Sequence, residues 1–157
     1  MSIDEARIRE AGPADLDVVA GFAQAMARET EGKDLDDATL RAGVAALLAD
    51  PALGRTLVVE SKGEVVASLM LTSEWSEWRN GLFWWIQSVY VKRGERGRGH
   101  YRRLHEHVRA LAAEDPRVCG LRLYVERENT GAQATYRAMG MEETHYLLFE
   151  ESTRPAK

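Results

Sequence analysis

Residues 93–104 read RGERGRGHYRRL, with five arginines, one histidine and three glycines in twelve positions. Glycines let a ligand's oxygens come close to backbone amides, and arginines supply charge around them. Placed where a strand turns into a helix, such a loop is a phosphate cradle, because the first amides of a helix have no intrahelical acceptor and the helix dipole is positive there. From 92 to 103 six cationic side chains stand against one carboxylate, Glu95, a local +5 in a chain of net charge −4, which leaves −9 on the rest. A nucleic-acid interface usually spreads its charge along a face or a helix. Here the charge is gathered at one point, yet a solvated basic loop and a nucleic-acid module remain alternatives to a site for one small anion. No GxxxxGK[ST] pattern is present and no GxGxxG follows a strand, so neither a P-loop nor a dinucleotide Rossmann site is supported.

The elements that would position this loop can be read on either side of it. Residues 82–91, LFWWIQSVYV, are almost continuously apolar, as expected of a central strand covered on both faces. After the glycines, Tyr101, Leu104, Val108 and Leu111 recur at helical spacing, so an amphipathic helix opens at the loop. Upstream, 6–10 reads as a short first strand. Pro13 suits the first turn of a helix carrying Leu16, Val19, Ala23 and Met26 on one face. Asp36 or Asp37 caps a second helix with Leu40, Val44, Leu47 and Leu48, ended by Asp50-Pro51. Residues 56–61 and 64–72 are β-rich and joined by Lys62-Gly63 as a hairpin. Downstream, 118–126 alternates as a strand, Asn129 caps a helix stopped by Gly140, and 142–149 reads as a last strand. The order is β α α β β β α β α β, a mixed α/β domain.

At 157 residues, 45% hydrophobic and 29% charged, the chain suits a single soluble domain, 1–157. No apolar run reaches the length of a membrane span, and the acidic, mixed N-terminus MSIDEARIRE is unlike a signal peptide, so the expected location is the cytoplasm. Cys119 is the only cysteine, which excludes an intramolecular disulfide and a multi-cysteine metal site. It is expected to be a small buried residue at a strand start.

Read together, VYVKRGERGRGHYRRL (89–104) and NTGAQATYRAMGM (129–141) resemble the GNAT superfamily of acetyl-CoA-dependent N-acetyltransferases. In that family the fourth strand ends in an R/Q-x-x-G-x-G/A loop, and an N-x-x-A-x-x-x-Y-x-x-x-G-F-like segment follows the fifth strand. Arg96, Gly99 and Tyr101 fall on the first pattern; Asn129, Ala132, Tyr136, Gly140 and Met141 fall on the second. The resemblance implies a mostly antiparallel, twisted central sheet of six to seven strands flanked by about four helices. Two positions depart from the family. Tyr101 stands where glycine or alanine is usual, and Trp85 stands about where some members carry a glutamate general base, with no acid anywhere in 82–91.

The resemblance further implies that the amides of Gly97, Arg98, Gly99, His100 and Tyr101, with Arg96, hold the coenzyme A pyrophosphate. Val89 and Val91 would pair with the pantetheine arm as an added strand does, and Asn129 would bond to that arm or simply cap its helix. Tyr136 would protonate the departing thiolate, an ordinary tyrosine hydroxyl near 10 facing a thiol near 8.5. The competing reading is a core aromatic in phase with Ala132 and Met139. An alkylamine acceptor must lose a proton, and Glu74, Glu77 and Glu126 are the candidates to take it, with Glu29 and Glu31 next; each is equally readable as a surface carboxylate. His100, His105 and His107 are expected to border the nucleotide. Trp75 and Trp78 are candidates for an acceptor rim or a homodimer contact, while Trp84 and Trp85 read as core on opposite strand faces.

The leading expectation is therefore an acetyl-CoA-dependent N-acetyltransferase acting on a small-molecule or peptide amine, without a metal, a nucleic-acid partner or a membrane. The acidic balance outside the loop favours a cationic acceptor. A coenzyme A sensor without turnover is the second reading, and a nucleic-acid-binding module using 93–103 is the third.

Overall fold

The computed structural model describes residues 6–155; the N-terminal stretch 1–5, part of the segment read above against a signal peptide, lies outside them. The described residues form two compact units, one ending at Tyr124 and one beginning at Val125.

The first unit holds one five-stranded sheet. Its strands are β1 (Arg7–Glu10), β2 (Arg55–Ser61), β3 (Glu64–Ser76), β4 (Gly81–Val91) and β5 (Val118–Arg122), in that spatial order. β1 to β4 are antiparallel, and β5 joins β4 in parallel after the helix α3 (His100–Glu114). A single 3-10 turn, Pro13–Asp15, leads into α1 (Leu16–Glu31), which ends at left-handed Gly32, and α2 (Asp37–Ala49) follows. The Asp36 carboxylate caps α2 by accepting the Thr39 amide at 3.1 Å. Lys62 and Gly63, both at positive φ, make the expected two-residue hairpin between β2 and β3.

Alternation assigns the sheet two faces of different character. Leu57 and Val59 of β2, Ala67, Leu69 and Leu71 of β3, and Trp84 and Ile86 of β4 form one core with Leu104 and Val108 of α3, and all are buried. The opposite face, in the same central strands, carries Thr56, Ser68, Met70 and Ser88, next to α1 and α2. One side of the sheet is filled by large apolar groups, and the other mixes Val58 and Met70 with the small hydroxyls of Thr56, Ser68 and Ser88.

β4 contains a bulge. Met70 pairs with Gln87, but Ser68 pairs with Tyr90, so β4 carries one residue more than β3 in this interval, and Ser88 adopts φ 50°. The extra residue reverses the strand's phase. Trp84 and Ile86 enter the α3 core, beyond the bulge Val89 and Val91 pack against that same core, and Tyr90 turns to α1, where its ring lies 5.1 Å from that of Phe22.

In the second unit, α4 (Thr130–Ala138) is capped by Asn129, whose side-chain oxygen accepts the Ala132 amide at 3.1 Å, and it gives way at Gly140 with φ 97°. Residues 142–149, expected as a strand, belong to no sheet among the described residues, and Tyr146, Leu147, Leu148 and Phe149 are exposed. The described sheet thus has five strands rather than six to seven: the apolar run at 146–149 is real, but no strand among the described residues pairs with it. Two boundaries also shift. β3 runs on to Ser76, and β5 stops at Arg122 rather than reaching Glu126. Cys119 is exposed, not buried: it is the extra residue at the register shift between Val118 and Gly120, and its neighbour Val118 packs against the core in its place.

Candidate functional site

β4 and β5 pair only from Leu82 to Trp85. There they close tightly: the Phe83 ring lies over Gly120, where a β-carbon would come within 2.7 Å of Phe83 Cε1, and the Arg122 guanidinium stacks on the same ring at 3.6 Å. Past Trp85, β4 runs on to Val91 with no partner strand on the β5 side among the described residues. A strand edge of that kind presents amides and carbonyls to an extended ligand. Val89 and Val91, expected to serve in this way, lie on this stretch, directly after the bulge.

The chain leaves β4 through the glycine loop. Gly94, Gly97 and Gly99 all have positive φ, and Gly99 is the N-cap of α3. The first amide to close a helical bond is that of Arg103, onto Gly99 O at 3.1 Å; the amides before it in the first turn sit where a helix has no carbonyl to offer. A β-carbon on Gly94 or Gly97 would meet no atom within 4 Å, so the space over the loop is open. α3 is anchored behind the loop by Leu104 and Val108, which have no exposed surface.

The loop's charges are held by the protein itself. Glu29, at the end of α1, accepts from Arg96 at 2.7 Å and from the Tyr90 hydroxyl, with Arg93 at 3.5 Å. These donors, the Tyr90 hydroxyl first, hold the Glu29 carboxyl down at about 2. Arg96 also donates to Val91 O at 2.9 Å, which ties the loop to the strand end, and its guanidinium lies over the Tyr90 ring at 5.3 Å. Arg98 pairs with Glu95, and Arg102 with Glu106. The local positive excess read from the sequence is thus largely answered by carboxylates nearby, Glu29 among them from far along the chain, which is unlike an extended phosphate-contacting face.

Two of the histidines, His100 and His105, have buried rings, while His107 is half-buried. His100 is 3% exposed and its Nε2 sits 3.1 Å from Glu95, whose carboxyl this contact lowers. His105 is fully buried between Tyr101 and Arg109. A guanidinium can only donate, so His105 Nε2 is the acceptor for Arg109, and Nδ1 carries the proton toward the Tyr101 oxygen. Burial first, and then the Arg109 charge, push His105 below its usual range, so it is neutral near pH 7. Tyr101, at the family's glycine or alanine position, fills space at the helix start and meets His105 edge-on.

The carboxylate missing from β4 is brought to it from β3. Glu74 accepts the Trp85 indole N–H at 3.1 Å and pairs with Arg122 at 2.8 Å. Glu77 lies exposed in the turn after β3, between the exposed Trp75 and Trp78. Trp84 is in the core and Trp85 half-buried, beside Tyr124. Glu126, Asn129 and Tyr136 belong to the second unit. Asn129 holds its helix cap, Glu126 is exposed, and burial pushes the Tyr136 hydroxyl above its ordinary value. Among the described residues no group of three or more His, Cys, Asp or Glu side chains is arranged to hold a metal, and no helix is long and apolar enough to cross a membrane. Sequence reasoning missed the bulge at Ser88 and the partnership of Glu29 with Tyr90 and Arg96. The polar pair Gln87-Ser88 inside an otherwise apolar run was the one signal for the bulge.

Residues 19–141 match the model of the acetyltransferase (GNAT) family. Among solved structures, the chain is similar to a possible acetyltransferase from Clostridium difficile 630, at 44% identity and TM-score 0.90, over 96% of this chain and 99% of that one. It also shares its fold with a predicted acetyltransferase from Clostridium acetobutylicum solved with acetyl-CoA (17% identity, TM-score 0.75, 93% and 96% covered). A GCN5-related N-acetyltransferase from Ralstonia eutropha JMP134 has the same fold (24% identity, TM-score 0.74, 93% and 98% covered). A comparison with curated proteins returned no match.

Proposed function

The chain belongs to the acetyltransferase (GNAT) family, and from that premise we propose that it transfers the acetyl group of acetyl-CoA to a primary amine. The observation that carries the reading is the continuity of three features: an unpaired β4 edge past Trp85, a bulge on that edge, and a glycine loop opening α3. These fit the donor's shape and charge. The β4 edge at Val89 and Val91 would take the pantetheine arm, and the amides from Gly97 to Tyr101 would take the pyrophosphate, with Arg96 and Arg98 beside it. Acetyl-CoA supplies an acyl group activated on sulfur.

Ser88 and Val89 at the bulge lie off the regular β3 ladder, so a backbone N–H there can be aimed at the acetyl oxygen. One such donor is typically worth about 3 to 4 kcal/mol of barrier. The C–N bond forms as the thioester C–S bond breaks; one proton comes off the nitrogen and one goes to the sulfur. Tyr136 is the proposed donor to sulfur, and its burial keeps the hydroxyl protonated through neutral pH. Glu29 is a poor base, since three donors hold its carboxyl down at about 2 and so weaken it as a proton acceptor. Glu74, Glu77 and Glu126 remain the carboxylates to which the amine's proton can pass through water; of these Glu74 is already held by Trp85 and Arg122.

Calorimetric titration of acetyl-CoA into the wild type and Gly99→Glu tests the reading. Binding in the micromolar range that disappears in the variant is expected, followed by thiol release with an amine panel. Absence of binding at modest salt refutes it, and tight binding with no turnover on any amine supports a sensor instead.

A further inference from the structure

A cavity of about 360 Å³ lies between α1, α2 and the sheet face that carries Thr56, Ser68 and Ser88. Its walls are apolar: Phe22 and Met26 of α1, Leu40 and Leu47 of α2, and Met70 of β3. No charged side chain lines it. Two local choices of residue create the space. Where the α3 face of the sheet carries Leu, Trp and Ile, this face carries Thr56, Ser68 and Ser88. Above them α2 presents Gly43, where a β-carbon would meet no atom within 4 Å. Interiors are otherwise close-packed, and glycine inside a helix is destabilising, so the void is not the outcome of filling a core.

Thr56 is 4% exposed, lines the cavity, and its Oγ1 has no hydrogen-bond partner among the described residues. Buried hydroxyls are normally paired. One edge of the cavity is Ser88, at the β4 bulge where acetyl transfer is placed.

We propose that this cavity seats the apolar body of the acceptor, so that the substrate is a compact hydrophobic primary amine with its nitrogen at the Ser88 edge. The inference rests on the acetyl-transfer reading for the identity of the ligand as acceptor, and on the cavity alone for its chemistry. The volume suits a ligand of drug-fragment size, and an uncharged lining disfavours a polycation, whose charges would be desolvated without partners. The acidic balance of the chain, which favoured a cationic acceptor, concerns the outer surface and not these walls.

The test uses 2-phenylethylamine as the probe, a Phe-Gly-Gly tripeptide as the peptide counterpart, and spermidine as the polycationic control. Binding is read by saturation-transfer NMR on the acetyl-CoA-free protein, in wild type and Gly43→Leu, with acetyl-CoA titrated in parallel. At least one of the two apolar amines is expected to bind the wild type, at least tenfold more tightly than spermidine, and to lose tenfold or more in Gly43→Leu while acetyl-CoA affinity is kept. Which apolar amine binds better separates a small-molecule from a peptide source. Affinity unchanged by Gly43→Leu, no binding of either apolar amine, or a preference for spermidine overturns the proposal. If the apolar amine binds and responds to Gly43→Leu but acetyl-CoA does not bind at all, the acetyl-transfer reading fails and the cavity assignment stands.

Discussion

Replacing Thr56 by valine should make the protein more stable, an unusual expectation for a buried site. The side chain is 4% exposed and its hydroxyl makes no hydrogen bond, so the folded state carries a desolvated donor and acceptor that the unfolded chain returns to water. A buried unsatisfied hydroxyl costs about 1 to 3 kcal/mol, and the methyl that replaces it adds about 0.8 kcal/mol of apolar burial. With the lower part of that range, a net gain of about 1 to 2 kcal/mol is expected. For a chain of this size it corresponds to a rise in Tm of roughly 3 to 6 °C. Differential scanning calorimetry of wild type and Thr56→Val measures it directly. An unchanged or lower Tm would refute the reasoning, since it would mean that the hydroxyl is satisfied, for example by a tightly held water.

Three further outcomes follow from the site. Ser88→Val places a β-branched residue at φ 50° and should lower stability by about 1 to 2 kcal/mol in urea melts, whereas Ser88→Gly should be neutral or stabilising. Glu29 has its folded pKa near 2, below its unfolded value, so its contribution is fully present above about pH 5 and is lost as pH falls toward 2; the Tm difference between wild type and Glu29→Gln should be constant above pH 5 and shrink below it. Tyr136→Phe should lower kcat by about 10²- to 10⁴-fold with little change in acetyl-CoA affinity. Because burial raises the Tyr136 pKa, the wild-type rate should show no falling limb from this group below pH 10, as a pH–rate profile would reveal.

The features legible in the sequence are those specified locally. Asn129 as a cap, Lys62-Gly63 as a hairpin, Asp36 as the start of α2 and the glycines at the start of α3 each depend on a few neighbouring residues, and each stands where the pattern puts it. The site's remaining parts depend on contacts far along the chain. Glu29 reaches Tyr90 and Arg96 only after α1 folds back over the sheet, and nothing near Glu29 announces three donors. The cavity needs Gly43, Thr56 and Ser88 to converge from three elements, and each alone reads as an ordinary helix glycine or strand hydroxyl. The apolar run 82–91 hides the bulge because a strand apolar on both faces has no alternation to break. Cys119 was misjudged for a related reason: apolar composition does not show where an extra residue shifts the register of a strand.

The bulge also sets where β4 can change in length over evolution. Elsewhere in a strand, losing one residue exchanges its two faces, and here that would move Trp84 and Ile86 out of the α3 core or Val89 and Val91 away from it. At 87–88 the opposite holds: removal of one residue restores a regular ladder and leaves Trp84, Ile86, Val89 and Val91 on the face they already occupy. A relative with a β4 one residue shorter at that point would therefore keep its sheet, its core and its glycine loop intact. What such a deletion removes is the irregular backbone at the edge of the cavity between α1, α2 and the sheet, so on the proposed reading a single missing codon would leave the fold and take away the backbone N–H meant for the acetyl oxygen.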